Sequence, residues 1–232
     1  DPHYTVPDIY YPSVGVMVAR TPHFILAAKA GGNADNHNHN DTGSFILYLD
    51  EKPLFVDVGV ETYSRKTFSP DRYDIWTMQS GYHNLPTISG LDQRAGDQYR
   101  ATRVECDLQD DEKSISMYIE KAYPLSDRLK DVTYLRRISL CASAETFTLT
   151  DTTNCDDVIL NFITYEPPEN EGSANTYRIG NALVTINGAS IVSKETLPIT
   201  DPRLALAWDH DLFRTRFSMN AKTFIMQVRP IS

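Results

Sequence analysis

The chain has 232 residues, of which 41% are hydrophobic and 23% charged, and this composition predicts a packed globular core. Its formal net charge of −9 has the wrong sign for a surface that binds nucleic acid, so the charge disfavours that class of partner. The sequence has neither a run of about eighteen apolar residues nor the regions of a signal peptide, so it predicts no membrane span and leaves the compartment open. Because the chain begins with Asp1 and not with Met, we interpret it as a matured product or a domain of a longer protein.

Alternation of apolar and polar residues at a period of two dominates the chain and predicts β-strands. The first two strands form a hairpin across Thr21-Pro22, over residues 14–19 and 23–28. Further predicted strands cover residues 44–49, 53–58, 99–108, 114–123, 134–140, 146–151, 158–165, 182–186, 191–194, 204–208 and 223–228. Only residues 71–78, which follow a Ser69-Pro70 cap, indicate a short helix. The sequence therefore predicts a single all-β domain over residues 1–232, a large antiparallel β-sandwich.

Turn signals separate most of these strands at short intervals. The strongest is Asn187-Gly188, which predicts a hairpin with a type I′ turn. Two stretches, residues 31–41 and 60–96, are too long for ordinary hairpin connections. Long loops in a compact domain are often functional, so these two are the places where the sequence predicts a site.

Histidines concentrate in the two long loops. His37 and His39 form an H-x-H pair just before the strand at residues 44–49, and His83 lies in the second loop. In extended backbone an H-x-H pair points both imidazoles to one side, which suits a metal ion or a metal ion with a catalytic base. Asp57 lies inside an otherwise apolar strand, where an unpaired carboxylate is costly, so it is the candidate that completes such a site.

The donor types narrow the choice of metal. Cys106, Cys141 and Cys155 are widely spaced and contain no C-x-x-C pair, so they predict neither a disulfide framework nor a thiolate metal site. Imidazole and carboxylate ligands without thiolate suit Zn²⁺ and, less selectively, other divalent first-row metals. The alternative is that the histidines hydrogen-bond the loop together without any metal.

The order and spacing of these motifs resemble one known family. Residues 36–45 (NHNHNDTGSF), residues 53–59 (PLFVDVG) with Tyr63, and residues 80–84 (SGYHN) are similar to the C-terminal β-sheet domain of the heparinase II/III-like polysaccharide lyases. The likeness of motifs covers residues 30–95 and is only architectural beyond them. It implies a supersandwich of β-strands that follows an N-terminal (α/α) toroid, which this chain lacks. It also implies cleavage of uronic-acid-containing polysaccharides by β-elimination.

The resemblance further implies roles for single residues. His39, Asp57 and His83 would hold a zinc ion of chiefly structural role, and His37 would face the substrate cleft as a catalytic residue. Because most of the acid and base groups of the family come from the toroid, we expect the isolated chain to be inactive.

The substrate implied is an acidic polysaccharide, such as heparin, heparan sulfate or alginate. Residues 61–105 carry six basic and six acidic side chains, so this segment repels an acidic sugar least. The candidates for contact with sugar are Tyr63, Arg65, Arg72, Tyr82 and Arg94.

Two other classes compete with a lyase domain. A cupin-type metal enzyme needs a glutamate soon after its H-x-H pair, but the first glutamate after His39 is Glu51, which disfavours that class. A non-catalytic carbohydrate-binding or packing module fits the acidic charge and the absence of a toroid. An upstream helical segment in the parent gene would favour the lyase over such a module.

Overall fold

Two large antiparallel sheets pack face to face in the structure, a computed structural model that describes residues 6–126, 129–173 and 175–231. The strands are β1 (Ile9–Tyr11), β2 (Val16–Arg20), β3 (Phe24–Lys29), β4 (Gly32–Asn33), β5 (Phe45–Leu49), β6 (Lys52–Phe55), β7 (Pro86–Ile88), β8 (Gly96–Arg100), β9 (Thr102–Leu108), β10 (Glu112–Tyr118), β11 (Tyr134–Cys141), β12 (Thr146–Thr153), β13 (Val158–Thr164), β14 (Glu169–Asn170), β15 (Thr176–Ile179), β16 (Ala182–Asn187), β17 (Ala189–Leu197), β18 (Leu212–Met219) and β19 (Thr223–Pro230).

The first sheet runs in the order β1-β2-β3-β5-β6-β13-β18-β17, with β7 paired to β13. The second sheet runs β14-β15-β16-β19-β12-β11-β10-β9, and β4 pairs with β8 in a small separate ladder. Short 3-10 helices in the described residues span Lys66–Phe68, Pro70–Asp74, Trp76–Met78, Ser80–Tyr82, Glu120–Ala122 and Leu204–Leu206. None of the helices in the described residues has the length and hydropathy needed to cross a membrane.

The core lies between the two sheets because alternate residues of each strand point inward. Met17 and Ala19 of β2 are fully buried, while Val16, Val18 and Arg20 are half-buried on the outer face. Phe45 of the first sheet meets Phe147 of the second with ring centroids 5.1 Å apart. The prediction of an all-β antiparallel sandwich is therefore confirmed.

The predicted strand at residues 204–208 is wrong. Its first three residues form a 3-10 helix, because Asp201 Oδ1 accepts the backbone N–H groups of Arg203 and Leu204 and caps that turn. The alternation does not predict β18, which lies between β13 and β17 in the first sheet. The predicted helix at residues 71–78 is instead two 3-10 turns, separated by extended backbone at Ile75.

The predicted hairpin at Asn187-Gly188 is also wrong. Strand β16 pairs with β19 in the second sheet, whereas β17 pairs with β18 in the first, so the chain changes sheets at this dipeptide. A type I′ turn needs positive φ at both central residues, and here only Gly188 has it. Glycine is required at 188 for a second reason, since a Cβ there would lie 2.1 Å from the carbonyl oxygen of Thr223.

His23, just before β3, connects the two sheets at one end of the sandwich. Its Nδ1 lies 2.8 Å from Asp50 Oδ1, and its Nε2 lies 3.4 Å from Glu145 in the turn between β11 and β12. The hydrogen bond to Asp50 raises the pKa of His23. A raised folded-state pKa stabilises the fold below the unfolded-state pKa, and that stabilisation is lost as pH rises through the folded-state pKa.

We therefore expect an NMR titration of His23 to give a pKa above about 6.5, the value of free histidine. The Asp50→Asn variant should bring the pKa of His23 down, because it removes the nearest negative charge. A His23 that titrates identically in both proteins would contradict this pairing.

Candidate metal centre

Three side chains from three segments meet beside the first sheet. One ligand atom from each of His39, Asp57 and His83 lies within 4.8 Å of the other two. The rings of His39 and His83 are 5.3 Å apart between centroids, and His83 Nδ1 lies 2.9 Å from Asp57 Oδ2. Two imidazoles and a carboxylate at these separations form a donor set that could hold one divalent metal ion.

His83 is the least satisfied side chain of the three. It is fully buried, and neither of its ring nitrogens has a hydrogen-bond partner among the described residues. Nδ1 is paired with the Asp57 carboxylate only as a close ion pair, so Nε2 is the ring nitrogen that has no partner of any kind among the described residues. Buried polar atoms without a partner are costly in a folded protein, and a metal ion is one ligand that would satisfy them. This observation fits a metal better than a loop held by hydrogen bonds.

The electrostatics of the cluster depend on its carboxylate. Burial opposes a charge on His83, but the adjacent Asp57 carboxylate outweighs burial and raises the pKa of His83. Burial and the neighbouring His83 together lower the pKa of His39. Burial would raise the pKa of Asp57, but the charge on His83 holds it well below its usual range. Asp57 is thus an ionised carboxylate ready to act as a ligand.

The local backbone explains the position of Asp57. Strand β6 ends at Phe55, so Asp57 lies just past the strand and not within it. Its Oδ1 accepts the backbone N–H of Gly59 at 2.7 Å, which fixes the side chain. Asp57 remains about one-third exposed (34%), and it lines a groove of about 190 Å³ together with Lys29, Asp41 and Ser44. The cluster therefore reaches solvent on its Asp57 side.

His37 does not share the environment of His39. Its φ of 60° places it in a turn, so the extended backbone assumed for the H-x-H pair is absent. His39 consequently points inward and is 7% exposed, whereas His37 is exposed and stacks on Tyr63 with ring centroids 6.2 Å apart. The two histidines of the H-x-H pair therefore lie in different environments, His39 in the interior and His37 at the surface.

Tyr63 is the centre of an exposed aromatic group. It contacts Phe68 edge-on at 5.5 Å between centroids, and the guanidinium of Arg203 lies 4.7 Å from its ring. Tyr63 is 41% exposed and Phe68 is 69% exposed, so both rings are available to a ligand beside His37. The sequence singled out Tyr63 but neither Phe68 nor Arg203.

The remaining predicted sugar contacts differ in their surroundings. Arg72 is half-buried and donates to the carbonyl oxygens of Thr67 and Asn38, so it braces the H-x-H loop. Tyr82 packs edge-on against Trp76 and lies beneath the Arg214 guanidinium, 4.0 Å from its carbon atom. Arg65 and Arg94 are exposed. A role in binding sugar stays a prediction for all four.

A buried polar network holds the loops that carry His39 and His83, and the sequence analysis predicts little of it. Asn84 Nδ2 donates to the carbonyl oxygens of Phe45 and Val56, and its Oδ1 accepts the N–H of Ile163. Gln93 Nε2 donates to the Thr42 carbonyl oxygen. A signal existed in β11 and β12, where the charged residues Arg136 and Asp151 occupy inward positions of alternating strands.

Comparison with protein families identifies the chain. The family model described as "Heparinase II/III-like, C-terminal" matches residues 5–159. The chain belongs to this family. The resemblance found in the sequence is thereby confirmed, and the matched residues include the whole His39, Asp57 and His83 cluster.

Solved structures show the same fold for this heparinase II/III-like domain. The heparan sulfate lyase HepC from Pedobacter heparinus superposes with a TM-score of 0.71 at 15% identity, over 98% of this chain and 37% of its own. A mutant of that enzyme has a TM-score of 0.73 at 14% identity with the same coverage. A structure named heparinase III has a TM-score of 0.68 at 17% identity, over 97% of this chain and 37% of its own.

The chain thus spans well under half the length of these solved structures, and identities this low establish only the fold. Comparison with curated proteins finds no match.

Proposed function

We propose that this domain is the C-terminal part of a polysaccharide lyase that cleaves uronic-acid-containing polysaccharides by β-elimination. We further propose that it binds one zinc ion through His39, Asp57 and His83. The observation that carries the proposal is the convergence of these three side chains within a family whose solved relatives include heparan sulfate lyases. Heparan sulfate is therefore the first substrate to test, and alginate is the second.

The donor set supports zinc on chemical grounds. Nitrogen from two imidazoles and oxygen from one carboxylate are ordinary zinc ligands, and three protein ligands leave a fourth position for water. When bound, zinc would chiefly fix the geometry of the loops that carry its ligands. The buried positions of His39 and His83 favour this structural role over direct contact with a polymer.

β-Elimination on a uronic acid requires three functions. A base removes the proton at C5, a positive or hydrogen-bonding group neutralises the adjacent carboxylate, and an acid protonates the departing O4 oxygen. His37 suits one of these functions because its imidazole is exposed, two residues from the proposed ligand His39. Its stacking on Tyr63 orients the ring without taking up a ring nitrogen. Other groups needed for turnover would come from the rest of the parent protein, so the chain alone would be inactive.

The composition of the outer face of the first sheet supports a contact between this domain and another part of the parent protein. Outward positions of antiparallel sheets are usually polar where they face water. Here the outward residues of β2, β3 and β5 are largely apolar. The apolar ones are Val16, Val18, Ile25, Ala27, Ile46 and Tyr48, and the two charged ones are Arg20 and Lys29. We propose that the N-terminal helical toroid of the parent covers this face and so places its own acid and base groups near His37.

The test of the catalytic proposal is His37→Ala in the full-length parent. General acid–base groups contribute typically about 10² to 10⁴ in rate, so turnover should fall by at least about 10²-fold. Zinc content should stay unchanged, because His37 is not among the three proposed ligands. The assay follows the unsaturated product by its ultraviolet absorbance and measures bound metal on the same sample.

His23→Ala provides the matched control, since His23 is an exposed histidine paired with Asp50 and Glu145 outside the cluster. It should leave turnover unchanged. Full activity in His37→Ala would refute the catalytic role of His37. Absence of lyase activity from the unaltered parent on every uronan would favour a non-catalytic carbohydrate-binding module instead.

A further inference from the structure

A buried arginine reaches from the second sheet to both loops of the metal cluster. Arg136 lies at an inward position of β11 and is fully buried. Its Nη1 donates two hydrogen bonds, one to the carbonyl oxygen of Gly43 at 2.9 Å and one to that of Asn84 at 2.7 Å. Gly43 follows His39 in the first loop, and Asn84 directly follows His83 in the second. One guanidinium nitrogen therefore holds the two histidine-bearing loops together.

The segment that carries the third proposed ligand, Asp57, is hydrogen-bonded to Asn84 as well. The Asn84 side chain donates to the carbonyl oxygen of Val56 at 3.2 Å, and Val56 directly precedes Asp57. The same amide nitrogen donates to Phe45 at the start of β5, 2.7 Å away. The three segments that carry His39, Asp57 and His83 thus belong to one hydrogen-bond network that ends at Arg136.

Asp151 on the neighbouring strand neutralises and orients this arginine. The two residues are direct cross-strand partners, and Asp151 accepts from Nε at 2.8 Å and from Nη2 at 2.7 Å. Tyr134 donates to the same carboxylate at 2.9 Å. This bidentate contact uses one edge of the guanidinium and leaves Nη1 free for the loop carbonyls.

Charge pairing alone does not explain why an arginine lies at this buried position. A buried ion pair is often replaceable by apolar residues of similar volume without loss of stability, since desolvation of the charges offsets their attraction. What apolar residues cannot do is donate to two carbonyl oxygens in separate loops. The distinctive contribution of Arg136 is therefore the position of those loops.

We propose that Arg136 is a positioning residue for the metal centre. From its position on the second sheet, Arg136 fixes the distance between the His39 loop and the His83 loop. Asp151 holds the guanidinium in the orientation that this requires. The inference rests on the proposed zinc site and adds to it a control over metal affinity by residues that touch no ligand.

The test is the double variant Arg136→Met/Asp151→Leu, which removes both charges together and so leaves no unpaired ion in the core. Groups that orient metal ligands from outside the coordination shell typically change metal affinity by about 10- to 100-fold. We expect zinc affinity, measured by competition with a chromophoric chelator, to fall by at least about 10-fold on that basis. The melting temperature of the metal-free double variant should fall as well, because Tyr134 and the carbonyl oxygens of Gly43 and Asn84 each lose a hydrogen-bond partner. Its zinc affinity is therefore compared with that of a variant that loses stability alone.

Two further variants separate positioning from general stability. Tyr134→Phe removes one hydrogen bond to Asp151 but leaves both loop contacts, so it should lower the melting temperature and leave zinc affinity unchanged. Arg136→Lys keeps the charge but not the forked geometry, so it should weaken zinc binding even if the double variant fails to fold. The matched control is Arg137→Met/Glu112→Leu, which removes an exposed ion pair on β11 and β10 and should change neither quantity.

The outcomes distinguish the two levels of the proposal. Zinc binding by Arg136→Lys and the double variant as tight as that of the unaltered chain would overturn the positioning role and leave the metal site standing. Equal loss of zinc affinity in Tyr134→Phe would also overturn it, because affinity would then follow stability alone. No zinc binding by the unaltered chain would overturn the metal site itself, and with it this inference.

Discussion

Zinc should raise the thermal stability of this domain strongly, and His83→Ala should abolish that effect. A ligand that binds only the folded state adds about 4 kcal/mol when its concentration is a thousandfold above its Kd. His83 is the decisive ligand because it is fully buried and neither of its ring nitrogens has a hydrogen-bond partner among the described residues. The measurement is the melting temperature of both proteins across a zinc titration, after removal of metal with a chelator.

His23→Ala is the control, since it removes an exposed histidine outside the cluster and should leave the zinc response intact. A second check is Asp57→Asn, which keeps the size of the side chain but removes its charge. It should weaken zinc binding without abolishing it, because the two imidazole ligands remain. An equal zinc response in the unaltered chain and in His83→Ala would show that zinc binds elsewhere.

Asp151→Asn should destabilise the fold strongly although it is a conservative substitution. It leaves the Arg136 guanidinium fully buried without its counter-ion, and breaking a buried ion pair typically costs about 3–5 kcal/mol. The hydrogen bond that Asp151 accepts from Tyr134 weakens as well, since an amide oxygen is a poorer acceptor than a carboxylate. Urea denaturation of the metal-free proteins measures the difference in free energy of unfolding.

The matched control is Glu112→Gln. Glu112 pairs with Arg137 at 2.9 Å on the neighbouring strand, but both side chains are about half exposed. Exposed ion pairs contribute about 0–1 kcal/mol, so this substitution should have little effect. Similar losses from Asp151→Asn and Glu112→Gln would show that the buried pair contributes no more than a surface pair.

The fold could largely be predicted because the alternation of apolar residues reports directly which face of each strand is buried. Strands β2, β3, β5 and β12 lie close to where this pattern places them. The failures lie where local signals compete with tertiary packing. Residues 204–208 are apolar enough for a strand, yet the Asp201 cap bends them into a 3-10 turn. Asn187-Gly188 has the composition of a hairpin turn, but its flanking strands find partners in different sheets.

The candidate site could be predicted in part. The sequence identifies the H-x-H pair and His83 because they lie in unusually long loops, and it identifies Asp57 because a carboxylate interrupts an apolar segment. That His39, Asp57 and His83 converge is known only from the structure. The apolar–polar alternation could not predict the turn at His37, because a positive φ at a histidine has no simple sequence signal. Arg136 and Asp151 each place a charge at an inward position of a predicted strand, as Asp57 does in the strand predicted at residues 53–58, so the same sequence signal identifies them.

A crystal of the zinc-reconstituted domain, measured on both sides of the zinc absorption edge, tests the proposed metal site. We expect one anomalous peak bounded by His39, Asp57 and His83, at about 2.0–2.2 Å from a nitrogen or oxygen atom of each. An anomalous map with no peak at that position would contradict it.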